Sequence, residues 1–368
     1  MEQPVVASST IAWLAFALGV VFGAVGNKTH FCTLGAVSDV VNMGDWRRMR
    51  MWMLAIAVAI IGTCALQLAG LVDVSKSIYT GSRLRWLSHV LGGLAFGVGM
   101  TLASGCGSKT LIRLGGGNLK SLVVFVFLGL AASMTLRGVF GVWRVQWLDS
   151  MAVELDSAQH LPALLAAGGM APERALLLAT TVVGGLLLAA ALAHREAWRA
   201  DILLGGTVVG LLVVGGWYVT GHIGYVAEHP ETLEEAFIGT NSGRAESFSF
   251  VAPLAYTLEL LMLWSDASRI VTFGIAGALG VVVGSALLAL TTRSFRIESF
   301  RDAGDLIRHL LGAVLMGFGG VTALGCTIGQ GVSGISALSL GSMLTTLSII
   351  AGAALTMKVQ YWLLLRNA

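Results

Sequence analysis

Four cysteines, Cys32, Cys64, Cys106 and Cys326, stand in a chain of 368 residues. None belongs to a C-x-x-C pair or a cysteine–histidine cluster. That spacing argues against a structural zinc, an iron–sulfur centre and a disulfide framework, so no metal and no cofactor is expected. Cys64 falls inside a smooth apolar run and reads as a small buried hydrophobe. The other three lie where an apolar run breaks, in Thr29-His30-Phe31-Cys32-Thr33, Ser104-Gly105-Cys106-Gly107-Ser108 and Leu324-Gly325-Cys326-Thr327-Ile328-Gly329-Gln330. Small and hydroxyl-bearing neighbours leave room around the sulfur, the setting in which thiols are accessible and active.

The chemistry these residues could do is the handling of an anion. A helix beginning after Ser104 and Gly105 aims its free N–H groups and positive dipole end at whatever sits beside Cys106. Lys109, three residues on, and Arg113, four further, share roughly one helical face with Cys106. Both also read as ordinary cytoplasmic loop charges. Around the last cysteine, Thr327, Gln330, Ser333, Ser336 and Ser339 supply polar groups without a single charge, as do Ser104 and Ser108 around Cys106. Uncharged donors suit an anion that must leave as readily as it enters. His30 could activate the nearby thiol or hydrogen-bond an oxyanion, or simply cap a span. Glu259 and Arg137 lie in apolar stretches and are functional candidates by default. Asn27, Glu246 and Arg269 are candidate partners of Glu259, and snorkelling is the alternative for Arg137.

The elements that must position these groups are membrane spans. The chain is 56% hydrophobic and 12% charged, with a mean hydropathy of +0.81, against roughly 25% charged residues in a soluble domain. Apolar runs long enough to cross a bilayer, about 20 residues, recur at 9–26, 51–72, 86–104, 119–143, 173–193, 202–221, 270–292, 306–324 and 340–365. They predict an all-α polytopic membrane protein of about nine transmembrane helices. Segments 30–43, 105–116, 247–264 and 326–338 are shorter or interrupted, and read as re-entrant half-helices, tolerated at membrane depth only inside protein or beside a cavity. No cleavable signal peptide is expected. The 48 glycines among 368 residues fit close helix packing through small residues.

Two stretches match without a gap at an offset of 220: Leu91, Gly92, Gly97, Gly99 and Gly105-Cys106 fall on Leu311, Gly312, Gly317, Gly319 and Gly325-Cys326. A weaker match relates 18–26 to 204–216, and sets Phe31-Cys32-Thr33 beside Phe248-Ser249-Phe250. The chain therefore reads as a single membrane domain with a first repeat at 9–143, a connecting span at 173–193 and a second repeat at 202–365. An odd number of intervening spans inverts one half relative to the other, as in many secondary transporters.

Orientation follows from lysine and arginine. With the N-terminus outside, inside loops hold Arg47, Arg48, Arg50, Lys109, Arg113, Lys120, Arg195, Arg199, Arg293, Arg296, Arg301, Arg308 and Arg366, thirteen in all. Outside loops hold seven: Lys76, Arg83, Arg85, Arg144, Arg174, Arg244 and Arg269. Outside loops also carry Asp149, Glu154 and Asp156, and Glu228, Glu231, Glu234 and Glu235. The expectation is N-terminus out and C-terminus in, with tryptophans such as Trp46, Trp86, Trp143 and Trp264 anchoring the interfaces.

Phe31-Cys32, Ser104-Gly105-Cys106-Gly107-Ser108 with Gly115-Gly116-Gly117 and Ser121, and Gly325-Cys326-Thr327-Ile328-Gly329-Gln330-Gly331 with Ser333-Gly334 and Gly341-Ser342 resemble the signatures of the YeeE/YedE sulfur-transport family. The resemblance covers nearly the whole chain. It implies a bacterial inner-membrane protein that takes up thiosulfate along a central path of thiols, here Cys32, Cys106 and Cys326. It also implies a small cytoplasmic TusA-like protein as sulfur acceptor. Lys109 departs from that pattern, which leads one to expect a small residue there. Relatives linked to selenium or other sulfur compounds leave the anion open.

The leading expectation is a transporter or channel, not an enzyme. It works without ATP, since no G-x4-G-K-[ST] loop is present, and its partners are the anion and the lipid bilayer, with no nucleic acid. The rival is a membrane sulfur-transfer enzyme that carries a persulfide on Cys106 or Cys326, which would require a thiolate. The substrate path expected on either reading is Cys32, Ser104, Cys106, Ser108, Lys109, Cys326, Thr327 and Gln330.

Overall fold

A computed structural model describes residues 7–229, 232–266 and 268–366, so Glu231 lies outside the described residues. The first half runs through α1 (Ser8–Lys28), α2 (Thr33–Met43), α3 (Arg47–Leu68), α4 (Trp86–Leu102), α5 (Gly107–Gly115) and α6 (Leu119–Leu136). A short α7 (Val139–Trp143) continues as a π-turn at Arg144–Leu148. Next come α8 (Leu161–Ala167) and α9 (Pro172–Leu192). The second half holds α10 (Ala200–Tyr218), α11 (Ala252–Met262), α12 (Phe273–Thr291), α13 (Ala303–Thr322), a π-helical turn at Gly329–Gly334 and α14 (Leu340–Arg366). Two ribbons of two residues per strand, 83–84 with 153–154 and 225–226 with 236–237, tie loops together.

The protein is an all-α polytopic membrane protein. Among the described residues, eight helical segments are long and apolar enough to cross a bilayer. The ninth expected span is present as α13, but Asp305, Arg308 and His309 occupy its first turns and glycine dilutes its hydropathy. One boundary differs from expectation. The apolar run 119–143 is not one helix: α6 stops at Leu136, and Gly138 turns the chain into α7. A side chain there would meet Met134. Arg137 is therefore the terminal residue of a span rather than an interior one, and its guanidinium reaches Glu259 at 3.1 Å.

The interrupted segments fold into short helices at the cysteines. Cys32 starts α2, its sulfur accepting the Gly35 N–H at 3.4 Å. Cys106 starts α5. Before Cys106 and Cys326 the chain passes through left-handed backbone at Ser104 (φ 56) and Leu324 (φ 61), and before Cys32 at His30 (φ 52). Each turn interrupts a helix and frees backbone groups that protein must then satisfy.

Inside a bilayer there is no hydrophobic drive between helices, so close backbone approach at small residues takes its place. A side chain on Gly92 would meet Gly319 O at 2.8 Å, and one on Gly99 would meet Gly312 O at 2.6 Å. Reciprocally, Gly312 faces Gly99 O at 2.6 Å and Gly319 faces Gly92 O at 2.5 Å. Helices α4 and α13 thus cross antiparallel through their repeated glycines. Two further pairs pack in parallel: Gly19 and Gly23 of α1 face Gly277 and Val281 of α12, and Gly206 and Gly210 of α10 face Leu54 and Ala55 of α3.

Candidate functional site

The three cysteines at chain breaks converge. Cys106 and Cys326 are completely buried, Cys32 partly so. The Cys32 and Cys106 thiols adjoin one another, and the Ser108 hydroxyl lies 3.3 Å from the Cys106 sulfur. Thr327, the residue after Cys326, turns its buried hydroxyl toward Cys106. Cys326 in turn lies within electrostatic reach of Cys106, and its sulfur accepts the N–H groups of Phe250 at 3.3 Å and Gly329 at 3.4 Å. Three distant breaks in the sequence therefore supply one buried line, Cys32, Cys106 and Cys326. Cys64 stands apart from it, buried in α3.

Cavities of opposite character approach the two ends of this line. Beside Cys32 lies a cavity of about 520 Å³ lined by Cys32, Gly35, Asp39, Arg48, Ser104, Lys109 and Arg113. It shares Ser104, Lys109 and Arg113 with a second cavity, of about 670 Å³, which adds His30, Lys120, Arg296, Arg301, Glu298 and Asp305. Arg48 is held by Asp39 through two hydrogen bonds, at 2.5 and 2.9 Å, and Lys120 by Asp305 at 2.6 Å. Arg113 donates to Ser104 O at 2.6 Å. Half-buried Lys109 takes part in none of the ion pairs among the described residues, while its charge acts on Cys32 and Cys106. This end is cationic and holds an unspent ammonium group.

Beyond Cys326 lies a smaller cavity of about 250 Å³, bounded by Tyr79, Arg144, Glu246, Ser249, Tyr256 and Gly325 among others. Ser249, which the weaker match sets beside Cys32, lines this cavity with its hydroxyl beside Gly329. The sequence offers Glu246 only as a candidate partner of Glu259. The structure places it in this cavity instead, and gives Glu259 to Arg137 and to Arg269 at 3.5 Å. Asn27 binds Ser285. Burial pushes the Glu246 carboxyl up to about 7, against the opposing pull of the Ser242 hydroxyl and the Asn241 N–H. A lone acid in a polar loop has no periodicity to announce it. The only signal was its nearness in sequence to the Phe-Ser-Phe segment.

Not every expected donor faces the line. Ser333 donates to Phe248 O at 2.8 Å, Ser336 to Ser333 O at 2.7 Å and Ser339 to Tyr79 O at 2.7 Å. The Gln330 amide donates to Ala323 O at 2.5 Å. These protons are spent on carbonyls that the π-helical turn and its neighbours leave without helical partners. His222 bonds Leu71 O at 3.1 Å, away from the thiols. Ser104 is exposed at the mouth of the cationic cavities.

Fold and site together define a polytopic membrane protein with thiols and hydroxyls buried at its centre and a polar cavity at either end. The chain belongs to the sulphur-transport family, which it matches over residues 28–355. It is 29% identical over 329 residues to the thiosulfate transporter TsuA of Escherichia coli K12, covering 85% of this chain and 84% of that one. Over 351 residues it is 24% identical to the thiosulfate transporter TsuA of Spirochaeta thermophila, covering 92% and 96% respectively.

Proposed function

We propose that this protein carries thiosulfate, or a similar small sulfur anion, into a bacterial cell across the inner membrane, along the line Cys326, Cys106, Cys32. The observation that carries the reading is the convergence of three thiols from three separate chain breaks, with a cavity at each end of the line. Thiols and hydroxyls are weak, uncharged donors, so an anion can be handed from one to the next without being trapped. Ser108 and Thr327 flank Cys106, Ser104 and Lys109 form the inner mouth, and Gln330 braces the turn after Cys326. The names of the two relatives support the anion. The reciprocal glycine contact of α4 with α13 supports an inverted repeat of 9–143 and 202–365 joined by 173–193. Orientation with the N-terminus out places the cationic cavities in the cytoplasm, where a TusA-like acceptor would collect the sulfur. Transport rather than enzymatic sulfur transfer is the activity proposed.

The test is uptake of labelled thiosulfate into a sulfur-auxotrophic bacterial host, comparing wild type with Ser and Ala replacements of Cys32, Cys106 and Cys326. Losing a donor to a charged group costs about 1.5–3 kcal/mol, roughly ten- to a hundredfold in rate. Each alanine variant is expected to fall by that factor and each serine variant to retain part of the uptake, because the hydroxyl still donates. Wild-type uptake no greater than that of the empty host overturns the transport reading. Serine variants as dead as alanine variants favour thiolate chemistry over a donor relay.

A further inference from the structure

We infer that Glu246 is a proton-operated gate at the outer end of the path, which admits the anion only while its carboxyl group is protonated. The inference rests on the reading of the small cavity as the outer approach to Cys326. Glu246 lines that cavity together with Ser249 and Gly325, the latter joined directly to Cys326. An acid so placed on the route of an anion needs a reason.

The carboxylate cannot readily swing clear. Its backbone is pinned on both sides by the buried Thr220 hydroxyl, which donates to Glu246 O at 2.5 Å and accepts from Glu246 N–H at 3.1 Å. The Ser242 hydroxyl donates to the side chain at 2.9 Å. Among the described residues no cation forms an ion pair with it, and the cations near the cavity pair or bond with other groups. Arg144 pairs with Asp149 at 3.2 Å, Arg137 and Arg269 both pair with Glu259, and Arg244 reaches Ser77 O at 3.4 Å. The other titratable groups facing Glu246 are the phenols of Tyr79 and Tyr256. Helices α12 and α13 contribute only Gly274, Gly320 and Val321, and the turn after α13 contributes Leu324 and Gly325.

An ionised Glu246 therefore adds a charge of the anion's own sign to a narrow, weakly screened passage. Protonated, the same group becomes a neutral O–H donor, of one kind with the thiols and hydroxyls further in. Burial raises its proton affinity so that the change of state falls near neutrality. The proton comes from water on the outer side, sits on a carboxylate oxygen while an anion passes, and returns to the same water. No bond within the anion is made or broken, and no proton need cross with it.

Purified protein in liposomes tests this, with internal pH buffered at neutrality and membrane potential clamped. Initial uptake of labelled thiosulfate is followed as the outer pH is stepped from about 5.5 to about 8.5, a range that brackets a carboxyl group titrating near neutrality. Wild-type uptake is expected to fall by about tenfold per pH unit above a midpoint near neutrality, following the protonated fraction. Glu246→Gln is expected to be flat, and at alkaline pH to match the wild-type acid rate. Glu246→Asp retains the slope, and provides the comparison if the glutamine variant fails to fold. A wild type that transports with no pH slope, or a glutamine variant that titrates like wild type, overturns the gate and leaves the transport reading standing. A wild type with no uptake at any pH overturns the transport reading itself, and the gate with it.

Discussion

At the scale of single residues, the two ends of the thiol line differ most at one aligned pair. At the sequence offset of 220, Lys109 falls on Gly329. A side chain on Gly329 would stand 2.6 Å from the Ser249 hydroxyl, so no lysine fits there, whereas Lys109 opens onto two cavities. The line thus ends in a free ammonium group on one side and in a hydroxyl on the other. Replacing Lys109 by Gln should raise the KM for thiosulfate presented from the lysine side by about tenfold or more, the value of a charge-assisted hydrogen bond. Lys109→Arg should keep the KM near wild type. The measurement is efflux from loaded vesicles or uptake into inverted ones, and an unchanged KM in Lys109→Gln removes the lysine from the path. Lys109 was legible in the sequence because it stands three residues from a cysteine motif. Glu246 was not, since a half-buried acid in a loop is recognised only by what surrounds it, and Tyr79, Tyr256 and Thr220 reach it from other segments.

At the scale of elements, glycine placement reports the fold more faithfully than hydropathy. Of the repeated glycines, Gly92, Gly99, Gly312 and Gly319 are where α4 and α13 touch, while Gly97 packs on α14 and Gly317 on α6. The break at Gly138 and the π-helical turn at Gly329–Gly334 escaped the sequence reading, because one inserted residue or a short interruption leaves the hydrophobic pattern almost unchanged. Packing of this kind carries a sharp energetic contrast. Gly99→Leu must push α13 away from α4, and overpacking of a tight contact costs about 1–3 kcal/mol. Gly185 in α9 has nothing within 4 Å of an added side chain. Gly185→Ala should be neutral or stabilise by about 0.5–1 kcal/mol, as expected for alanine replacing glycine within a helix. Thermal unfolding in detergent should therefore show a lowered Tm for the first variant and an equal or raised Tm for the second. A Gly99→Leu protein as stable as wild type would mean that α4 and α13 do not meet through these glycines.

At the scale of the whole molecule, charge asymmetry, the contrast between the two ends of the thiol line and the proposed direction of transport point the same way. Thirteen loop cations face one side and seven the other on the orientation read from the sequence. The majority side is the one on which Lys109, Arg113, Arg296 and Arg301 line the wide cavities. The minority side carries, at its end of the thiol line, Glu246 and a cavity of about 250 Å³, apart from the cavity of about 920 Å³ beside Asp73, Lys76 and Tyr225. On that orientation the proposed passage is narrow and uncharged in its admitting state outside and cationic inside, which favours the anion at its inner end. The three thiols give a direct measure of this orientation, because only Cys32 is partly exposed and it opens onto the cationic cavity. A membrane-impermeant maleimide should label Cys32 in inverted vesicles and leave it unlabelled in right-side-out ones. Cys64, Cys106 and Cys326, all buried, should react from neither side before unfolding. Added thiosulfate should slow the Cys32 reaction if the anion occupies the inner mouth. Labelling of Cys32 from the outer face would reverse the orientation, and with it the assignment of Lys109 to the inner mouth and Glu246 to the outer one.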